Sequence, residues 1–250
     1  MKYLFFDIEC ADGGKATICS FGYVIADMDF KIIKREDIIM NPESRFYLTG
    51  RAGRPDVNLA YPMEYFKKAP NFKAFHSRIK ELVENEEYYV VGHSVRDDVT
   101  YLNKACARYK LEPFKFKFFD TQKMFKEITG EKKQKSLENA LLAMEVNEFF
   151  ISHRSDEDAR ATMMLLEALL EKTKMSFEVY KNSTDRCTGS TEGGKSRWDY
   201  TPPESEYKRL HENKMKVERG DNIMLRGRRN HTLFLRYLDY GEGLGEKSDK

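Results

Sequence analysis

The chain has 250 residues, with 43 Lys and Arg against 41 Asp and Glu and a formal net charge of +2. That length holds one good-sized domain plus an appendage, or two small domains, and a 40% hydrophobic content is enough for a buried core. The balanced charge does not announce a nucleic-acid partner, so any such partner must be argued from local sites. Cys10, Cys19, Cys106 and Cys187 are scattered and form no CxxC pair, which argues against a structural zinc site and a disulfide framework. The opening apolar run meets Asp7 too early for a signal peptide, and no stretch reaches the ~20 apolar residues of a membrane span. The expectation is a soluble, cytoplasmic protein.

In chain order, Tyr3 to Glu9 is an aromatic-rich apolar run that predicts a buried strand. Strands over about Thr17–Ala26 and Phe30–Met40 follow, joined by the Asp27-Met28-Asp29 turn and ended by Asn41-Pro42. Residues 43 to 66 carry Gly, Pro and Arg without clear periodicity and predict a long loop with one short helix. Phe72, Phe75, Ile79, Leu82 and Val83 recur at helical spacing, and His76 reads as a surface residue of that helix. Tyr88 to Val91 predicts a strand stopped by Gly92, and Val95, Val99, Leu102 and Ala105 mark the next helix. Phe116 to Phe119 predicts a strand running into a helix at Thr121, and Leu137 to Met144 a further helix. Asp156 to Lys172 is a long amphipathic helix, with Met163 and Met164 assigned to the core. Three strands followed by alternating helices and strands predict an α/β fold with a mixed central sheet flanked by helices. After about Lys174 the composition shifts. Asn182 to Ser196 is rich in Ser, Thr and Gly and predicts a flexible linker, so the expected division is 1–174 and 175–250. Ile223–Arg226 and Thr232–Leu238 predict a small hairpin around a basic turn, with Arg226, Arg228 and Arg229 available to a partner.

Three short clusters bear on chemistry. In Asp7-Ile8-Glu9 the strand period of two puts both carboxylates on one face. Side by side at a strand end they repel each other, and a divalent cation with hard oxygen ligands, Mg²⁺ or Mn²⁺, would relieve them; taken alone, the pattern fits two solvent-facing acids better. Gly92-His93-Ser94-Val95-Arg96-Asp97-Asp98 lies at a strand-to-helix junction. There Asp97 or Asp98 could reach over the strand ends, or Ser94 could cap the helix while the acids complement its dipole. His153-Arg154-Ser155-Asp156-Glu157-Asp158 can fold a loop histidine back beside a helical carboxylate, and Ser155-x-x-Asp158 also has the form of a capping box.

Taken in order, Asp7-x-Glu9, His93-x4-Asp98 and His153-x4-Asp158 resemble the DEDD superfamily of 3′→5′ exonucleases, also called DnaQ-like or ribonuclease-T-like, in its histidine branch (DEDDh). The resemblance spans residues 1 to about 173. It includes Asn41-Pro42, Ala69-Pro70-x-Phe72, Phe119-Asp120-Thr121, Ser136-Leu137-x-x-Ala140-Leu141 and the Asp158-Ala159-Arg160-Ala161-Thr162 run. It implies a ribonuclease-H-like fold and two divalent cations held by Asp7, Glu9, Asp98 and Asp158. His153 would be the general base in hydrolysis of single-stranded DNA or RNA to nucleoside 5′-monophosphates. Three positions depart from the family pattern: Ser94 stands where Asn is common, Asp97 where an aromatic residue is frequent, and Cys10 where Thr is frequent. Counting five from His93 favours Asp98 over Asp97 as the ligand, and His93 itself reads as a structural turn residue.

For gripping the terminal nucleotide the candidates are Cys10, Ser94, Tyr65 and Phe66. The last two lie in an aromatic and basic stretch with Phe46, Tyr47, Arg51, Arg54, Lys67 and Lys68, although they could equally staple the next helix into the core. A homodimer and a polymerase or repair partner are the associations the resemblance suggests. A catalytically silent nucleic-acid-binding module on the same fold, a proofreading subunit and a small-nucleotide phosphodiesterase are the competing readings.

Overall fold

The computed structural model describes residues 1–13, 15–48 and 59–200. The chain divides into Met1–Asp199 and Tyr200–Lys250, and the first unit carries all that follows. The basic turn and hairpin expected beyond Tyr200, and Arg51 and Arg54, lie outside the described residues.

Strands β1 (Lys2–Cys10), β2 (Ile18–Ala26) and β3 (Ile32–Ile39) form an antiparallel meander. Helices α1 (Met63–Lys68) and α2 (Phe72–Val83) lead to β4 (Tyr88–Gly92), which pairs in parallel with β1. Then come α3 (Val95–Tyr109), β5 (Phe116–Asp120), α4 (Thr121–Thr129), α5 (Leu137–Ala143), α6 (Ser155–Thr173) and α7 (Phe177–Ser183). The hairpin β6 (Thr188–Glu192) and β7 (Lys195–Trp198) completes a seven-stranded mixed sheet in the order β3-β2-β1-β4-β5-β6-β7 among the described residues. No helix among them is long and apolar enough to cross a membrane.

The alternation of β1 divides the interior. Tyr3 and Phe5 face a core built with α4, α6 and α7, whereas Leu4, Phe6 and Ile8 face a core built with α2 and α3. Covering both faces explains why β2, Ile-Cys-Ser-Phe-Gly-Tyr-Val-Ile-Ala, is buried along its whole length. β3 is the sheet edge, and its Lys34-Arg35-Glu36-Asp37 run discourages further strand pairing there.

Two expectations are corrected. The stretch 182–196 is not a linker: it holds the end of α7 and most of the β6–β7 hairpin, which pairs with β5. Gly193 and Gly194 both take positive φ, 58° and 77°, as a two-residue turn between right-twisted strands demands. His76 is not a surface residue. It is 8% exposed, lies four residues after Phe72 on the apolar stripe of α2, and its Nε2 meets the Glu112 carbonyl at 2.8 Å. Met163 and Met164 are buried as expected.

Candidate active site

Asp7 and Glu9 continue the face of β1 that Tyr3 and Phe5 begin, so they emerge under the first turn of α6. That helix brings Asp158. Carboxylate oxygens of Asp7, Glu9 and Asp158 lie within 4.8 Å of one another. Asp98, in the first turn of α3, comes over the end of β1 from the opposite layer, and the Ile8 N–H donates to its carboxylate. Asp97 is exposed while Asp98 is 6% exposed, so of the two the structure turns Asp98 inward.

The electrostatics follow from this crowding. Burial, then the charges of Asp98, Asp158 and Glu9, push the Asp7 carboxyl well above the usual carboxylate range. Burial, followed by the charges of Asp97 and Glu9, does the same to Asp98. Asp158 rises to about 7, through burial and then Glu9, in spite of the His153 N–H donated to it. Four acids so placed, with oxygens as the only donors in the three-carboxylate cluster, fit divalent cations that prefer hard oxygen ligands.

His153 stands at the mouth of this cluster, with its Nδ1 3.2 Å from Glu9 Oε1 and its side chain 47% exposed. The hydrogen bond to Glu9 raises its pKa more than burial lowers it. A carboxylate can only accept, so Nδ1 carries the proton and Nε2 is left as the basic nitrogen. His93, by contrast, is tied into the fold. Its Nε2 meets the Lys135 carbonyl at 3.1 Å, its Nδ1 meets Thr121 Oγ1 at 3.0 Å, and burial depresses its pKa to about 4.

The sequence also named residues that the structure assigns differently. Phe66 is 1% exposed and packs against Phe46 and Tyr61, so it is a core residue and cannot contact a substrate; the adjacent Tyr65 is 63% exposed. Ser94 does not cap α3 with its side chain. It takes a left-handed φ of 60°, and its N–H donates to Asp120 Oδ1. Ser155 forms no capping box either: it is the first helical residue, and its hydroxyl donates to Asp37 Oδ1 at 2.8 Å. Cys10 lies close to Asp98, Glu9 and Asp7 and is part-buried.

Several residues that position the site went unread. Gly22, opposite Asp7 in the β1–β2 register, carries the start of α6 directly on its backbone. A Cβ there would stand 2.0 Å from Asp156 N and Ser155 C, so only glycine allows this approach. An isolated glycine inside an apolar strand was the available signal. From β3, Arg35 Nε donates to Asp156 Oδ2 at 2.6 Å, and Asp37 Oδ1 lies 2.8 Å from the hydroxyls of both Ser20 and Ser155, which also touch each other, so two protons serve three contacts. Tyr101 lies near Cys10, Asp97, Asp98 and Glu9, and burial raises its phenol pKa.

Residues 62–169 match the family model described as "DNA polymerase III subunit epsilon-like, C-terminal domain", DEDDh_C. That segment includes Asp98, His153 and Asp158 and leaves Asp7 and Glu9 outside it. No curated protein matches the sequence. Among solved structures the chain is similar to the 3′-exonuclease of "3'-end specific recognition of histone mRNA stem-loop by 3'-exonuclease", with a TM-score of 0.59 and 12% identity over 79% of this chain and 70% of that one. It is similar to Exonuclease X in complex with 5′ overhanging duplex DNA, with a TM-score of 0.53 and 15% identity over 70% and 95%. It is also similar to the nuclease domain of 3'hExo, described as a DEDDh family member bound to rAMP, with a TM-score of 0.53 and 14% identity over 68% and 90%. At these identities the likeness is one of fold, and the fold is the ribonuclease-H-like one.

Proposed function

From the premise that this chain has the fold of the DEDDh 3′-exonucleases and a segment matching a DEDDh family model, we propose that it is a 3′→5′ exonuclease acting on single-stranded DNA or RNA. The observation that carries the reading is the convergence of Asp7, Glu9 and Asp158 within 4.8 Å, with His153 hydrogen-bonded to Glu9. Asp7, Glu9 and Asp158 would hold one Mg²⁺ or Mn²⁺, and Asp7 with Asp98 a second, which would supply Lewis-acid stabilisation of the attacking and leaving oxygens in an in-line phosphodiester displacement.

This chain's own residues supply the rest. Glu9 fixes the His153 tautomer, so that Nε2 can take the proton of the attacking water. The fully buried seat of α6 on Gly22 keeps Asp158 in register with Asp7. The exposed ring of Tyr65 offers a face on which an unpaired base can stack without being read. Water attack at the terminal phosphodiester would release a nucleoside 5′-monophosphate and leave a strand one unit shorter.

The test is digestion of 5′-labelled single-stranded DNA and RNA oligonucleotides with Mg²⁺, Mn²⁺ or EDTA, alongside Asp7→Ala. A cation-dependent ladder shortening from the 3′ end, absent in the variant, is the expected result and reports the preferred sugar. No ladder on either strand with any cation would turn the reading to a silent nucleic-acid-binding module.

A further inference from the structure

Resting on that reading, we propose that Arg154 and Tyr61 form a latch that positions His153 for proton transfer by holding its backbone. The loop before α6 gives His153 little support. Asn147, Glu148, Phe149, Ile151 and Ser152 are all exposed, and α6 has no side-chain cap. His153 itself takes a left-handed φ of 61°. For a non-glycine residue that conformation is strained and relaxes unless its surroundings impose it. The imidazole makes one hydrogen bond among the described residues, to Glu9, so its aim depends on the backbone beneath it.

What imposes the conformation comes from the other side. The Ala60 N–H donates to the His153 carbonyl at 3.3 Å. One residue on, the Tyr61 ring lies under the Arg154 guanidinium, 5.6 Å from centroid to Cζ. Arg154 Nε donates to Asp156 Oδ1 at 2.8 Å. Asp156 is 3% exposed and is held in turn by Arg35 of β3. Arg154 is thus gripped between an aromatic face and an anchored carboxylate, and its main chain joins His153 to α6. The carboxylate cluster depends on this grip less than the imidazole does: the His153 N–H donates to Asp158, but Asp158 lies one turn further into a helix that Gly22 seats on the sheet. Loosening the latch should therefore impair the proton transfer and spare cation binding. Arg154 and Tyr61 are positioning residues, since neither supplies the proton acceptor.

The experiment is a set of cycles with Arg154→Met, Tyr61→Leu and His153→Ala, read by single-turnover cleavage of a 5′-labelled oligonucleotide. Each latch variant should lower the rate about tenfold at saturating substrate, and the pair together should do no more than the worse one, because residues acting as one unit are not additive. In the His153→Ala background the same substitutions should cost less than about twofold, since a base that is gone cannot be misplaced. Arg154→Lys should restore part of the rate by keeping a cation over the ring and beside Asp156. An equal loss with and without His153 would overturn the proposal and make Arg154 a residue of the fold alone. A second readout needs no hydrolysis: in EDTA, the His153 imidazole resonances, identified by their absence in His153→Ala, should move toward free-histidine shifts in Arg154→Met. Unchanged resonances would sink the latch, whereas a lack of cleavage by the unaltered chain would sink the exonuclease reading instead.

Discussion

Asp158→Asn should make the cation-free protein more stable while removing its response to divalent cations. Asp158 is 8% exposed, and its pKa rises from an ordinary 3.8 to about 7, first through burial and then through Glu9. Between those values the folded state holds a proton that the unfolded chain releases. The contribution of this one group to stability is therefore greatest below 3.8, falls as pH rises through the window, and is fully penalised above about 7. A rise of about three pH units at 1.36 kcal/mol each is a penalty of ~4 kcal/mol at about pH 8. Asparagine keeps the volume and an acceptor for the His153 N–H but introduces its own burial cost, so roughly half of that gain, ~2 kcal/mol, should be recovered. For a domain of this size that is a rise of about 4–8 °C in Tm. The assay is thermal or urea unfolding of both proteins at about pH 8 in EDTA and in Mn²⁺, repeated at about pH 4, where the ionisation penalty is nearly gone and the variant should be the less stable of the two by roughly 1–2 kcal/mol. At 100 times its Kd a cation should stabilise the natural protein by about 2.7 kcal/mol, and the variant by far less. A variant no more stable than the natural chain in EDTA, or one with an undiminished cation response, would refute the reasoning.

His153→Gln should lower the cleavage rate by about 10²–10⁴-fold, the usual worth of a general base, while keeping most of the cation-induced rise in Tm; an unaltered rate would remove His153 from the mechanism. His93 is part-buried and held neutral with a pKa of about 4, so its contribution to stability is complete above the unfolded value of 6.5 and is lost as pH falls toward 4. Going from about pH 8 to about pH 5 should cost ~2 kcal/mol through this group, and His93→Gln should flatten that part of a stability–pH curve. Gly22→Ala should cost at least about 3 kcal/mol in urea unfolding, because its methyl would collide with the main chain of α6; a loss under about 1 kcal/mol would mean the helix does not sit there. Phe66→Ala should cost ~3–5 kcal/mol of stability, whereas Tyr65→Ala should leave stability within about 0.5 kcal/mol and raise KM for an oligonucleotide.

The contrast between Phe66 and Tyr65 shows where sequence reasoning stops. In a six-residue helix two adjacent aromatics carry no periodicity that says which turns inward, and only the packing of Phe46 and Tyr61 decides it. Where periodicity was long it could be read. The alternation of β1 put Asp7 and Glu9 on one face, whereas it was the resemblance to the DEDD exonucleases, not the α6 stripe, that grouped Asp158 with them. His76 and the β6–β7 hairpin were legible in principle. The first falls in the apolar stripe of α2, and the second has a Gly-Gly pair at a two-residue turn, but local polarity and a Ser/Thr/Gly composition outweighed both signals.

What no local pattern could give is the frame behind the site. Lys34-Arg35-Glu36-Asp37 reads as a solvated edge strand, and half of it is one. Yet the same alternation that sends Glu36 toward Arg78 and Tyr23 sends Arg35 and Asp37 to the first turn of α6. Ser155, whose spacing to Asp158 suggested a cap, is instead drawn to Asp37, and Asp156 is neutralised by Arg35 and Arg154 rather than left to the helix dipole. The pairings of Arg35 with Asp156 and of Asp37 with Ser155 span more than a hundred residues of chain and exist because Gly22 lets the helix touch the sheet. The carboxylates that would hold cations could therefore be named from the resemblance of their motifs to a known family. The residues that hold those carboxylates and His153 at working distance could be named only from the fold.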